Sequence, residues 1–136
     1  MLARLGVVIV SATLILINPV MRDVKTTGYC PMPPCVDEKW ADGMTASGTK
    51  ARRGVCASDW VYFPKGAVLH VPGYGMCVVE DTGNPDVVHG KHLDLFFDTY
   101  EEAVAWGVQY HTIGVSSWPQ PIRDVTHTKG GHNEVR

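Results

Sequence analysis

The apolar residues of this chain come in short runs closed by turns, and three of those runs end on or carry an aspartate. The runs at 55–57, 67–71, 76–80, 92–97 and 108–115 read as β-strands, with Pro64-Lys-Gly66, Pro72-Gly-Tyr-Gly75 and the longer 82–91 segment as punctuation. Fourteen glycines and nine prolines fit a turn-rich, mainly β fold. Asp59 follows the first of these strands, Asp81 follows the third, and Asp94 sits inside the fourth. There His92, Asp94 and Phe96 share one face and Leu93, Leu95 and Phe97 the other. A carboxyl centred in an apolar strand is either partnered or used. A small barrel would gather the three carboxylates in one cleft, where they raise one another's pKa and suit one of them to general acid work near neutral pH. Glycosidic bond chemistry is the function class this favours.

At 136 residues the chain has room for one domain. A net charge of −2 and a pI near 6.3 argue against nucleic-acid binding, which shows as a basic excess. Residues 5–17 form an apolar run behind Arg4, the length of a signal-peptide core and short of the roughly 20 residues that cross a bilayer. Residues 18–22 offer no small-x-small cleavage site, so an uncleaved membrane anchor stays open beside a signal peptide. Pro19 and the polar stretch behind it separate the run from the rest of the chain, which weighs against a buried N-terminal element of the domain. The expected organisation is a signal peptide or membrane anchor at 1–22, a barrel domain at 23–117, and a flexible tail at 118–136. The protein is then exported, to the periplasm, the cell envelope or the exterior.

Export gives the four cysteines a meaning. Outside the cytoplasm Cys30, Cys35, Cys56 and Cys77 tend to oxidise, and of three connectivities the favoured one is Cys30–Cys35 with Cys56–Cys77. The second pair would tie two strands together just behind Asp59 and Asp81. A zinc site competes less well, because Cys56 and Cys77 lack the close spacing of a zinc ribbon.

Between these landmarks, 23–27 reads as a polar linker and 28–35 as an extended stretch stiffened by three prolines. Residues 40–49 read as a loop presenting hydroxyls, among them Thr45 and Ser47. Thr99-Tyr-Glu-Glu102 has capping-box form and opens a helix that Gly107 ends, so Asp98 is explained as a cap or dipole partner. Of four tryptophans, Trp106 belongs to the helix core, Trp60 packs, and Trp40 is the best candidate for the wall of a sugar-binding groove. The histidines show no metal-ligand spacing. Asp81-Thr-Gly83 also occurs in aspartic proteases, but Glu80 stands where those enzymes carry an apolar residue, and no matching second half is present downstream.

The series Thr45-Ala-Ser-Gly-Thr49, Gly54-Val-Cys-Ala-Ser-Asp59, Phe63-Pro-Lys-Gly66, Val71-Pro-Gly-Tyr-Gly75, Glu80-Asp-Thr-Gly83, Leu93-Asp-Leu-Phe-Phe-Asp98 and Glu101-Glu-Ala-Val-Ala-Trp-Gly107 resembles the three-aspartate (3D) domain. That family is a six-stranded double-psi β-barrel related to the catalytic barrel of the membrane-bound lytic transglycosylase A family. The resemblance covers about residues 26–117 and implies that Asp59, Asp81 and Asp94 are the signature aspartates, with Asp94 as the catalytic acid/base. It implies cleavage of the bond between N-acetylmuramic acid and N-acetylglucosamine in peptidoglycan, without water, leaving a 1,6-anhydro end. A hydrolase needs two carboxylates at a set separation, whereas here an internal hydroxyl replaces the second, so one acid suffices. Asp59 and Asp81 would then supply charge and hydrogen bonds around Asp94, and Thr45 and Ser47 would bind sugar hydroxyls.

The loop after Asp81-Thr-Gly83 departs from the family's usual Gly-Ala-Ile-Lys-Gly. It runs Asn84-Pro-Asp-Val-Val-His-Gly-Lys91, with Lys91 standing for the family lysine. The mechanism calls for no organic cofactor and no metal. The expected partner of the monomeric protein is the peptidoglycan glycan strand. The rival reading is a non-catalytic wall-glycan-binding module of expansin-like type, because one fold hosts both roles.

Overall fold

In the computed structural model, which describes residues 18–120, the alternation read in the sequence closes into a barrel. Its strands are β1 (Val20–Tyr29), β2 (Val55–Ser58), β3 (Val68–Val71), β4 (Gly75–Asp81), β5 (His92–Phe96) and β6 (Gln109–Ser117), with one helix, α1 (Tyr100–Trp106), between the last two. The order around the wall is β1-β5-β2-β4-β3-β6, closed. Two pairs are parallel, β1 with β5 and β2 with β4, and the rest are antiparallel. This is the mainly β, six-stranded double-psi barrel that the sequence leads one to expect.

Alternate residues point inward. Val24, Cys56, Leu69, Val71, Cys77, Val79, Leu93, Leu95, Ile113 and Val115 fill the barrel, joined by Phe63, Ala67, Tyr74, Phe97 and Ala103. A second, smaller cluster of Tyr29, Val55, Ala57 and Phe96 covers the opposite side of the β1-β5-β2 wall. Helix α1 starts as predicted: the Thr99 hydroxyl accepts from the Glu102 amide at 3.2 Å, and Gly107 closes it with a positive φ of 66°. The helix lies close over β1, because a Cβ at Gly28 would meet the Phe97 ring at 2.9 Å and the Ala103 Cα at 3.0 Å.

Three expectations are corrected. Residues 23–27 are not a linker but the middle of β1, which begins at Val20 and so takes in the last residues of the expected export segment. Its inward Val24 and Thr26 are fully buried, and Thr26 satisfies its hydroxyl with the Gln109 carbonyl and the Trp106 indole, which is why a polar run can be a barrel strand. The extended reading of 28–35 holds only as far as Tyr29; beyond it the chain turns, with a cis bond between Pro33 and Pro34. Cys30 and Cys35 are disulfide-bonded, but Cys56 and Cys77 are free thiols whose sulfurs lie 2.8 Å apart inside the barrel. They reach one another as inward residues of the parallel pair β2 and β4. The apolar run at 5–17 and most of the 118–136 tail lie outside the described residues. Among the described residues no helix is long and apolar enough to cross a membrane.

Candidate active site

The outer side of the β1-β5-β2-β4 wall carries the chemistry. Ala57 in β2 is paired with Asp94 of β5 on one side and with Asp81 of β4 on the other. The two aspartates therefore stand level, two strand spacings or about 10 Å apart at the backbone. A register shift opposite Cys56 and Ala57, with Glu80 the extra residue of β4, brings Asp81 into line. Thr27 of β1 is in register with Asp94, and its hydroxyl donates to Asp94 Oδ1 at 2.8 Å.

The three signature aspartates are held differently. Asp81 has both oxygens engaged: Oδ1 accepts from the Ala46 amide at 3.0 Å and the Thr82 amide at 2.9 Å, and Oδ2 from the Tyr29 hydroxyl at 3.2 Å. Asp59 is also engaged at both ends, by the Val61 amide at 3.0 Å and the Gly90 amide at 3.3 Å. Its first contact is an Asx turn and its second ties down the 82–91 loop. Asp94 differs, because among the described residues nothing donates to its Oδ2. No buried side-chain oxygen or nitrogen there lacks a partner, so that oxygen is open to solvent.

Burial pushes the Asp94 carboxyl up from its ordinary 3.8 to about 6, and the charge of Asp81 adds to the rise; the Thr27 hydrogen bond and Lys25 pull the other way. Asp59 has no part in that balance, so the expected trio reduces at Asp94 to a pair. Tyr29, whose ring stacks edge-on against Phe96 at 5.5 Å, has its phenol held far above the usual range by burial first and by Asp81 second. It is therefore a permanent donor to Asp81.

The remaining expected residues have assignable contacts. Thr45 is buried and its hydroxyl pairs with that of Thr49 at 2.8 Å, while the Ser47 hydroxyl donates to the Glu80 carbonyl at 2.5 Å. Thr45 holds the 44–50 turn closed on itself, and Ser47 fastens that turn to the end of β4, where the Ala46 amide meets Asp81. Lys91 is exposed and its ammonium donates to the Arg22 carbonyl at 3.2 Å, away from Asp94. Trp40 stands exposed on a 3-10 turn, Glu38–Trp40, with the Lys39 ammonium over its ring.

Sequence reasoning does not single out Thr27, Tyr29 or His92 as site residues, nor Trp60, whose indole donates to the Asp81 carbonyl at 3.0 Å. The alternation that puts His92 on the Asp94 face is the one available signal. The 82–91 loop is packed onto the wall by Val88. Gly83 permits this, since a Cβ there would stand 2.9 Å from Val88 Cγ2 and its φ is +63°. A separate depression of about 360 Å³ lies over the helix, lined by Arg53, Phe97, Glu102, Ala105, Trp106 and Gln109, and includes none of the carboxylates above.

The fold and this wall define a class: a closed, mixed, six-stranded barrel with one uncommitted carboxyl on its outer face, raised toward neutrality beside a second, fully bonded one. Residues 54–117 match the family model described as the 3D domain. YabE of Bacillus subtilis (strain 168), named for cell wall shaping, is 35% identical over 69 residues, covering 48% of this chain. The match spans only 16% of YabE. Among solved structures, MltA from Escherichia coli, described as having a unique lytic transglycosylase fold, is similar at 22% identity over 57% of this chain and 28% of that one, with a TM-score of 0.44. A second MltA crystal structure is similar at 23% identity over 53% and 26%, with a TM-score of 0.42.

Proposed function

We propose that the protein is an exported enzyme that cleaves glycosidic bonds of peptidoglycan as a lytic transglycosylase, with Asp94 as its single acid/base. The observation that carries this is the unequal treatment of the aspartates. Asp81 and Asp59 have every carboxylate oxygen occupied by protein donors, while Asp94 keeps one oxygen open and a carboxyl raised to about 6. A pair of free carboxylates would suit hydrolysis, one to protonate and one to activate water. One free acid suits a reaction in which the sugar supplies its own nucleophile. Asp94 protonates the departing oxygen, and its carboxylate then takes the proton of the muramoyl 6-hydroxyl as that oxygen closes on C1. Asp81 sits where its fixed negative charge favours both the protonated acid at rest and the oxocarbenium-like transition state.

The match to the 3D domain and the name of YabE support a role at the cell wall. The Cys30–Cys35 disulfide supports an extracytoplasmic location. The test is mass spectrometry of fragments released from purified peptidoglycan by the full chain and by Asp94→Asn. Muropeptides ending in 1,6-anhydromuramic acid from the wild type alone are expected. Reducing-end products would mean a hydrolase. Folded protein that pellets with the wall and releases nothing would mean a binding module.

A further inference from the structure

Four groups in line, the Val87 carbonyl, His92, Thr27 and Asp94, form a hydrogen-bond chain whose hydrogens can be counted. The Val87 carbonyl only accepts, so His92 Nδ1, 2.9 Å from it, carries a hydrogen. Thr27 has one hydroxyl hydrogen and two neighbours, Asp94 Oδ1 at 2.8 Å and His92 Nε2 at 2.7 Å. With Asp94 ionised and His92 neutral, both neighbours are acceptors. One hydrogen then serves two of them, and a pair of lone pairs is left facing at hydrogen-bond distance.

A single added proton resolves the conflict in either of two places. On Asp94, the Oδ1–H donates to Thr27 and Thr27 donates to Nε2, and a half-turn of the carboxyl about Cβ–Cγ carries that proton to the open side when it is delivered. On His92, Nε2–H donates to Thr27 and Thr27 donates to the carboxylate. Every link is filled once in both states.

We propose that Asp94, Thr27 and His92 hold one proton in common, with His92 acting through Thr27 as the positioning residue that keeps Asp94 in its acid form. The proposal rests on the acid/base reading of Asp94 and adds a partner to it. The surroundings decide which end holds the proton. His92 is only 3% exposed, and Lys25 of β1 and His89 of the 82–91 loop both face it and oppose a cation there. Burial lowers the imidazole's affinity for a second proton, with the Val87 carbonyl acting against that. At the other end burial and Asp81 of β4 oppose a carboxylate, Lys25 favours one, and Tyr29 is neutral and committed to Asp81. Both ends thus favour the uncharged arrangement, proton on Asp94 and His92 neutral. Within it Thr27 accepts from Asp94, so its effect is to raise the proton affinity of the carboxyl it would otherwise lower.

Nitrogen-15 and carbon-13 NMR of the full chain tests this. Near pH 5, below the Asp94 midpoint, His92 is expected as the neutral Nδ1–H tautomer with an unprotonated Nε2, a measurement that needs no variant. In His92→Phe, Thr27 is free to donate permanently to Asp94, and the carboxyl midpoint should fall by about one pH unit. The alkaline limb of any turnover should move down with it, while Thr27→Ser keeps the wild-type midpoint. An Nε2–H tautomer, or an Asp94 midpoint unmoved in folded His92→Phe, overturns the proposal. The two readings fail separately. The expected tautomer and midpoints without anhydro products would leave the chain standing and remove the transglycosylase. Anhydro products with an unmoved midpoint would do the reverse.

Discussion

Replacing Asp94 by asparagine should stabilise the folded protein at neutral pH while removing its chemistry. The folded carboxyl titrates at about 6 against an ordinary 3.8. That is a difference of about 2.2 pH units, and at about 1.4 kcal/mol each it corresponds to about 3 kcal/mol. Because the folded state holds the proton more tightly than the unfolded one, the carboxyl is no burden below pH ~4, where both states are protonated. As pH rises from about 4 to about 6 the unfolded chain ionises first and stability is lost, and above about 6 the full cost of about 3 kcal/mol persists. Asparagine resembles the protonated acid, since its amide can donate to Thr27, and it carries no such cost. Urea unfolding of the oxidised wild type and Asp94→Asn, at pH 3.5 and pH 7.5, should give nearly equal stabilities at the lower pH. At the higher one the variant should lead by about 2–3 kcal/mol. The other carboxylates titrate in both proteins and drop out of the difference. A gap that stays constant between the two pH values would refute the assignment of a raised, burial-driven carboxyl at Asp94.

The packing leads to two further outcomes. Gly83→Ala places a Cβ against Val88 at a left-handed backbone position, and should cost about 2–3 kcal/mol in chemical denaturation; a loss under 0.5 kcal/mol would mean that the 82–91 loop is not packed on the wall. Burial pushes the Cys56 thiol well above its ordinary range, and Cys77 is equally enclosed. The native protein at pH 8 without reductant should therefore take up no alkylating label and the denatured protein two, by intact mass; none after denaturation would mean that Cys56 and Cys77 are joined after all.

What the sequence made legible depended on whether the signal was local. Strand β5 declares itself by strict alternation, which puts His92 and Asp94 on one face, and α1 by its Thr99 cap and Gly107 stop. Strand β1 is hidden because Arg22, Asp23, Lys25, Thr26 and Thr27 read as solvent-facing, although Val24, Thr26 and Gly28 keep the period of two. The same cause hides the site residues on it. Thr27 and Tyr29 acquire their meaning from Asp94 and Asp81, 67 and 52 positions away, through pairings that no local window contains. Asp59, Thr45 and Ser47 stand out by their type, but type does not say whether an oxygen is free, and theirs are spent on loop geometry.

The place of β1 in the barrel also sets the order in which the molecule can be made. Lys25 pairs with His92 and Val20 with Gly114, contacts separated by 67 (92 − 25) and 94 (114 − 20) positions. Of the six strands β1 leaves the ribosome first, yet it has no partner until the fifth has been synthesised, and its other edge has none until the sixth. Such non-local pairing belongs with slow folding, in the range of milliseconds to seconds. Through that wait β1 is a lone strand in a nascent chain, open to pairing with other chains. The charged residues Arg22, Asp23 and Lys25, which disguise it in the sequence, are the kind that discourage such pairing.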